Sequence, residues 1–209
     1  MKNIQKKYGW KNADPTCAHD YLWSSILKLL PGSKLRVVDL GCGNGFLASA
    51  LANLGHSVVG FDISEDGILI AKEKYPNVKF FAKSVYDDLT ELGSNFDLAI
   101  SSEVIEHLYD PHALARQAFN LLRPGGSFIV TTPYHGYFKN LVLSLFDKWD
   151  DHHTSLSLGW HIKFFSTRTL SRLLRESGFC NLVFCNSGRF PGFWKSTVCR
   201  SEKNKDLKS

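Results

Sequence analysis

The chain has 209 residues, of which 44% are hydrophobic and 22% charged, and a net charge of +5. This balance describes a globular chain of about one domain and excludes a disordered, collagen-like or coiled-coil protein. The charge excess gathers at the ends, at Lys2, Lys6, Lys7 and Lys11 and at Arg200, Lys203, Lys205 and Lys208, which reads as solvated termini and favours no nucleic-acid partner.

Residues 1–15 are polar and irregular, with Pro15 as punctuation. Helical spacing begins at Thr16 with Ala18, Tyr21, Leu22, Ile26, Leu29 and Leu30, and Pro31–Gly32 stops it. The apolar run Leu35–Leu40 predicts a buried strand ending in a glycine-rich turn. Asn44–Leu54 predicts a helix closed by Gly55, then Ser57–Phe61 a second strand. Ser64 opens a helix through Tyr75, and Val78–Ala82 is a third strand. Phe96–Ser101 is a fourth strand and Pro111–Leu122 a helix ended by Arg123–Pro124–Gly125–Gly126. A fifth strand covers Ser127–Thr132, and a helix covers Thr167–Ser177 with Gly178 at its C-cap. Asn181–Cys185 and Phe193–Cys199 are two last strands.

Such alternation demands crossovers and a mostly parallel sheet covered on both faces, a Rossmann-like α/β sandwich. The expected organisation is a cap-helix segment over 1–32, a main domain over 33–200 and a disordered tail over 201–209. Residues 134–166, between the fifth strand and the next helix, form an aromatic-rich insertion read as a lid. Cys17, Cys42, Cys180, Cys185 and Cys199 make an odd set without framework spacing, so reduced thiols and a cytoplasmic setting are expected. The N-terminus has no continuous apolar core of a secretory leader. No apolar run approaches the roughly 20 residues of a membrane span.

The turn Asp39–Leu40–Gly41–Cys42–Gly43–Asn44–Gly45 joins the first strand to the first helix of the alternating region. Glycines let a backbone turn sharply and approach a ligand, and ligands of open α/β sheets bind beyond the carboxyl ends of the strands. A dinucleotide fingerprint needs a small residue where Phe46 stands, which disfavours an NAD-dependent oxidoreductase. Asp62 ends the second strand, where a carboxylate holds the two hydroxyls of a ribose or caps the following helix. Asp39 orients the loop, meets a ligand ammonium or serves structure alone.

VVDLGCGNG, VVGFDIS, FDLAISSEVIEHL and LLRPGGSFIVTTP together resemble the class I S-adenosylmethionine-dependent methyltransferases. The resemblance covers about residues 33–200. The form EVIEHLYDP and the later GWHIKFFSTRTL look most like the enzymes that O-methylate polyprenyl dihydroxybenzoates and quinols. It implies a seven-stranded sheet with the last strand antiparallel and S-adenosylmethionine as cofactor. Carried over by position, Gly41, Cys42 and Gly43 back the methionine part, Asp62 holds the ribose and Ile63 packs on the adenine. The aspartate that commonly meets the adenine amino group is replaced by Ser84, leaving the Ser84 hydroxyl or the Val85 backbone for that contact.

Glu103 begins the segment after the fourth strand, beside the expected place of the sulfonium. Three readings of Glu103–His107 stand. His107 is a general base for a phenolic acceptor, or Glu103, Glu106 and His107 hold a divalent metal that grips a catecholate, or Glu106 and His107 only anchor the loop.

In the insertion, Tyr134, His135, Tyr137 and Phe138 precede Trp149, His152, His153, Trp160, His161, Phe164 and Phe165. Most of these rings are expected to form the core of a small helical cap. His135 and His161 are the candidates for touching the acceptor, and an aromatic lining suits an apolar one. His19 and Tyr21 of the first helix stand where they could close the pocket from the other side. Transient contact with a membrane surface through the insertion would fit a lipophilic acceptor, although no basic amphipathic helix is visible. The reading is therefore a methyltransferase acting on a hydroxyl of a small aromatic or quinol-like molecule. Its alternatives are the oxidoreductase and a cofactor-binding domain without catalysis.

Overall fold

The computed structural model describes residues 10–153 and 161–205. Expectations for residues 1–9, for Trp160 and for the last four residues of the tail lie outside the described residues.

Among the described residues the elements begin with α1 (Cys17–Leu29) and then alternate: β1 (Arg36–Leu40), α2 (Phe46–Asn53), β2 (Ser57–Asp62), α3 (Glu65–Lys74), β3 (Lys79–Ala82), β4 (Phe96–Ser102), α4 (Pro111–Leu121) and β5 (Leu122–Pro133). The insertion carries α5 (Tyr137–Leu145) and α6 (Trp149–His153). α7 (Thr167–Glu176), β6 (Phe179–Ser187) and β7 (Ser196–Lys203) finish the fold. One seven-stranded sheet runs in the order β3-β2-β1-β4-β5-β7-β6. Strands β1 to β5 pair in parallel, and β7 lies antiparallel between β5 and β6.

Side chains of a strand alternate between faces, and both faces here are apolar. Val37, Leu98, Ile100 and Ile129 join the core under α1, α2 and α3. Val38, Ala99, Phe128 and Val130 join the core under α4 and α7. Hydrogen-bonded caps start the helices on both sides. Ser64 accepts from Gly67 N–H, Asp110 from His112 N–H and Ser166 from Thr169 N–H.

Three expectations change. Strand β5 starts at Leu122 rather than Ser127. Leu122 already pairs with Phe96, and a register shift between Phe96 and Leu98 lets Arg123–Gly126 bulge out, with Arg123 Nε on Asp97 Oδ1 at 2.7 Å. Strand β7 runs on to Lys203, so the tail expected from Ser201 includes its last three residues. The Lys203 ammonium is buried there, donating to the carbonyls of Phe119 at 2.7 Å and Leu122 at 2.9 Å. The rings of the insertion form no buried cap: α5 has no buried residue, and Tyr137 and Phe138 are 75% and 63% exposed. Phe165 alone of the expected rings within the described residues joins the core.

Candidate functional site

The turn after β1 packs so tightly that only glycine fits at several places. Gly41 has φ +82, and a Cβ there would lie 2.5 Å from the Val104 side chain. Gly45 has φ +80, and its Cβ would meet Ala71 and Phe80 at 2.7 Å. The N–H groups of Gly41 and Cys42 both donate to the Phe61 carbonyl at 2.9 Å. The turn is thereby held against the end of β2, where Asp62 stands. The Asp62 carboxylate accepts from Gly43 N–H at 2.9 Å and Ser64 N–H at 2.7 Å. Each carboxylate oxygen offers a second lone pair, so Asp62 braces the turn and keeps acceptor capacity for a diol.

Asp39 is 1% exposed, and neither of its oxygens has a hydrogen-bond partner. Burial first, and then the charge of Asp62, push its carboxyl up to about 8. A loop-orienting hydrogen bond, one of the expected roles, is therefore not made. Cys42 is buried, its thiol pushed up by burial and by both carboxylates. Ile63 is 54% exposed, an apolar side chain left uncovered beside the turn. The Ser84 hydroxyl accepts from Tyr86 N–H at 3.2 Å, and Gln117 donates to the Val85 carbonyl at 3.2 Å.

At the end of β4, Glu103 takes φ 55, rare for a residue with a side chain. Its N–H donates to the Thr131 hydroxyl at 3.0 Å, and that hydroxyl donates to its carboxylate at 2.7 Å. Burial raises the Glu103 carboxyl to about 7, against the lowering effect of its bonds to Thr131 and Ser196. Glu106 is fully buried, its carboxylate raised well above the usual range by burial and by Glu103. Its carbonyl accepts from Ile162 and Lys163, at 2.9 and 3.0 Å, which ties the insertion's end to the helical turn Ile105–His107 after β4.

Glu106, His107 and His161 bring ligand atoms within 4.8 Å of one another. The expected trio of Glu103, Glu106 and His107 is not the one assembled, because Glu103 turns toward Thr131 and His161 takes its place.

A pocket of about 350 Å³ opens beside this strand end, lined by Tyr21, Glu103, His135, Lys139, His161 and Trp194 among others. His135 and His161, the expected acceptor contacts, line it, as does Glu103, expected beside the cofactor's sulfonium; His107 does not line this pocket. Burial lowers His135 to about 3 and His161 to about 4, so both rings are neutral near pH 7. His19 holds the start of α1, its Nδ1 accepting from Thr16 N–H at 2.9 Å, and does not line this pocket. Lys139, Arg189, Trp194 and Lys195 were not expected. They come from α5 and from the β6–β7 loop, and only the fold brings them together. A hollow of similar volume, lined by Arg36, His56 and Lys79 among others, lies at the opposite ends of the strands.

A family model described as a methyltransferase domain matches residues 16–182. An Xanthomonas campestris protein named ubiquinone biosynthesis O-methyltransferase is 36% identical over 117 residues, 54% of this chain and 47% of that one. A Rhizobium etli protein of the same name is 39% identical over 106 residues, 49% of this chain and 42% of that one. The chain thus spans about half the length of the curated relatives it matches. Among solved structures, an S-adenosylmethionine-dependent methyltransferase of Thermotoga maritima aligns at TM-score 0.69 and 22% identity over 90% of each chain. One from Mesorhizobium loti aligns at TM-score 0.67 and 22% identity over 87% of this chain and 97% of that one. The chain belongs to the methyltransferase-domain family, with the fold of the class I S-adenosylmethionine-dependent methyltransferases.

The cofactor of this class fits the residues present. Its amino group would give the orphaned Asp39 carboxyl a partner, and its ribose suits Asp62.

Proposed function

We propose that the chain transfers a methyl group from S-adenosylmethionine to a hydroxyl of a small aromatic, quinol-like acceptor. One observation carries this reading: Glu103 directly follows β4, its neighbour Val104 packs on Gly41 of the glycine turn, and Glu103 also lines the acceptor pocket. The names of the curated relatives, which match about half their length here, support the choice of oxygen and of a quinol.

The bound cofactor supplies a methyl group already activated on its sulfonium. Asp39 neutralises the cofactor's amino group, Asp62 accepts from the ribose hydroxyls, and Ile63 with Ser84 and Val85 borders the adenine. Gly41, Cys42 and Gly43 back the methionine part. Glu103 would take the acceptor's phenolic proton as that oxygen bonds the methyl carbon and the cofactor's sulfur–carbon bond breaks. A carboxylate raised to about 7 suits a base near neutral pH better than His135 and His161, lowered to about 3 and 4. His107, the base expected from sequence, does not line the pocket. Alignment of the two reactants supplies much of the rate, up to about 7–11 kcal/mol of barrier.

A second reading rests on the Glu106–His107–His161 cluster. Because His161 also lines the pocket, a divalent cation held there would border the acceptor and polarise a catechol oxygen. The exposed apolar side chains of α5 and its end, Tyr137, Phe138, Leu145 and Phe146, favour a lipophilic acceptor or brief contact with a membrane surface. No helix among the described residues is long and apolar enough to cross a membrane.

The test is turnover of catechol and quinol acceptors by wild type, Glu103→Gln and chelator-treated protein. Loss in Glu103→Gln with full activity after chelation supports the base. Activity lost on chelation and restored by magnesium or manganese supports the cation. No methylation of any hydroxyl by wild type contradicts both.

A further inference from the structure

Two hydroxyl groups to which the mechanism gives no role link α1 to Glu103. Tyr21 lies one helical turn after Cys17 in α1, and both residues line the acceptor pocket. The Tyr21 hydroxyl is 3.1 Å from the hydroxyl of Ser196, the first residue of β7. Ser196 is fully buried, and its side chain also bonds the Glu103 carboxylate. Burial, and then the charge of Glu103, push the Tyr21 phenol up to about 12, so it keeps its proton through the neutral range.

The hydrogens available fix the direction of these bonds. An ionised carboxylate only accepts, and a serine hydroxyl has a single hydrogen. The Ser196 hydrogen therefore goes to Glu103, and the Tyr21 hydroxyl donates to Ser196. One cross-strand pair holds both ends of Tyr21, because Ser187 and Ser196 face each other across β6 and β7. The Ser187 hydroxyl donates to the Tyr21 carbonyl and accepts from the Ser25 hydroxyl at 3.0 Å. The Lys195 ammonium lies over the Tyr21 ring, 4.8 Å from its centroid. Backbone and ring are thereby both held, which aims the hydroxyl at Ser196.

We propose that Tyr21 is a positioning residue for methyl transfer and acts on the Glu103 carboxylate through the Ser196 hydroxyl. This rests on the methyltransferase reading with Glu103 as the base. Thr131 donates to that carboxylate at 2.7 Å and Ser196 donates to it as well, which leaves lone pairs for the acceptor's hydroxyl. Donation from Tyr21 polarises the Ser196 O–H and strengthens its bond to ionised Glu103. Helix α1 thus contributes to the aim of the base as well as to the pocket wall.

Steady-state turnover of catechol and hydroquinone with S-adenosylmethionine tests this on the full chain, with wild type and Glu103→Gln measured first. No turnover by wild type, or full turnover by Glu103→Gln, defeats the underlying reading and the positioning role with it. Failure of the positioning role alone looks different: wild type is active, Glu103→Gln is not, and Tyr21→Phe equals wild type. Ser196→Ala should lower kcat by about tenfold with the acceptor KM kept, as loss of one hydrogen bond to a charged group does. Tyr21→Phe, which keeps the ring, should lower kcat by about threefold, again with KM kept. The two losses should not multiply, because Tyr21 acts only through Ser196: the double variant should match Ser196→Ala alone. If melts show Ser196→Ala unfolded, Tyr21→Phe alone decides. Wild-type kcat in Tyr21→Phe, a defect carried by KM instead of kcat, or losses that multiply in the double variant would overturn the proposal.

Discussion

Glu103 and Thr131 close a ring of two hydrogen bonds: the Glu103 N–H donates to the Thr131 hydroxyl at 3.0 Å, and the hydroxyl donates to the Glu103 carboxylate at 2.7 Å. The ring holds a backbone at φ 55, a conformation that costs about 1–2 kcal/mol in a residue with a Cβ. Thr131→Val opens the ring. The expected loss is about 1–2 kcal/mol of stability and about tenfold in kcat with little change in KM, because the base loses its aim. Thr131→Ser should restore both. Thermal melts and steady-state kinetics check this.

Activity should also report Glu103 directly. Its carboxyl is raised to about 7, and the base works ionised, so kcat/KM should climb as pH rises through about 7 and then level. Thr131 lowers that value, so Thr131→Val should move the limb to higher pH. Glu103→Gln should abolish it. A limb unchanged in both variants would assign the proton to another group.

Under the proposed function, Asp39 gives up stability for cofactor binding. Its folded value of about 8 lies above the unfolded carboxylate value of about 3.9. The fold is therefore favoured most below the unfolded value, and this contribution is lost as pH rises from about 4 to about 8. Asp39→Asn should flatten that slope. At pH 7 it should stabilise the chain by about 1–3 kcal/mol, the gain being offset in part by a buried amide without partners. It should also weaken S-adenosylmethionine binding by about tenfold or more. Melts across pH 5 to 8 and calorimetry measure the two sides separately.

Asn44 pins the N-terminal segment to the glycine turn. Its Nδ2 donates to the carbonyls of Asn12 at 3.1 Å and Asp14 at 2.9 Å, and Trp10 seats its ring against Gly43 and Gly67. Asn44→Ala should cost about 2–3 kcal/mol, or about 5–10 °C in melting temperature. Hydrogen exchange at residues 10–14 should rise with it.

Lys203 offers a plain check on where the fold ends. A chain stopped at Arg200 loses the pairs of Phe128 with Ser201 and Phe179 with Lys203, and both Lys203 hydrogen bonds. It should lose more than about 3 kcal/mol, whereas a chain stopped at Lys205 should melt like the full one.

What could be read from sequence follows the range of the interaction. The strands and helices from residue 35 to 178 are legible because burial on both faces, turn residues and caps are local signals. The glycine turn and Asp62 are legible for the same reason. Strand β7 is hard to place because Ser201, Glu202 and Lys203 look like a polar tail, and only the carbonyls of Phe119 and Leu122 give Lys203 a reason to be buried. Glu106 and His107 are neighbours in sequence, but His161 joins them only through the insertion's return to β4. Lys139 and Arg189 lie fifty residues apart and carry no motif, so the charge of the pocket is a property of the fold. The rings of the insertion read as core by composition. Tyr137 and Phe138 stay exposed because α5 buries none of its residues, which no local pattern records.

The proposed methyltransferase reaction depends on S-adenosylmethionine binding at the turn after β1 and Asp62. Calorimetry of S-adenosylmethionine and S-adenosylhomocysteine against wild type and Asp62→Ala tests it, with NAD as control and melts confirming that the variant folds. The expected result is that both sulfur ligands bind the wild type, that Asp62→Ala weakens them by about tenfold or more, and that NAD gives no heat of binding. No binding of either sulfur ligand to folded wild type, or NAD binding in their place, would contradict it.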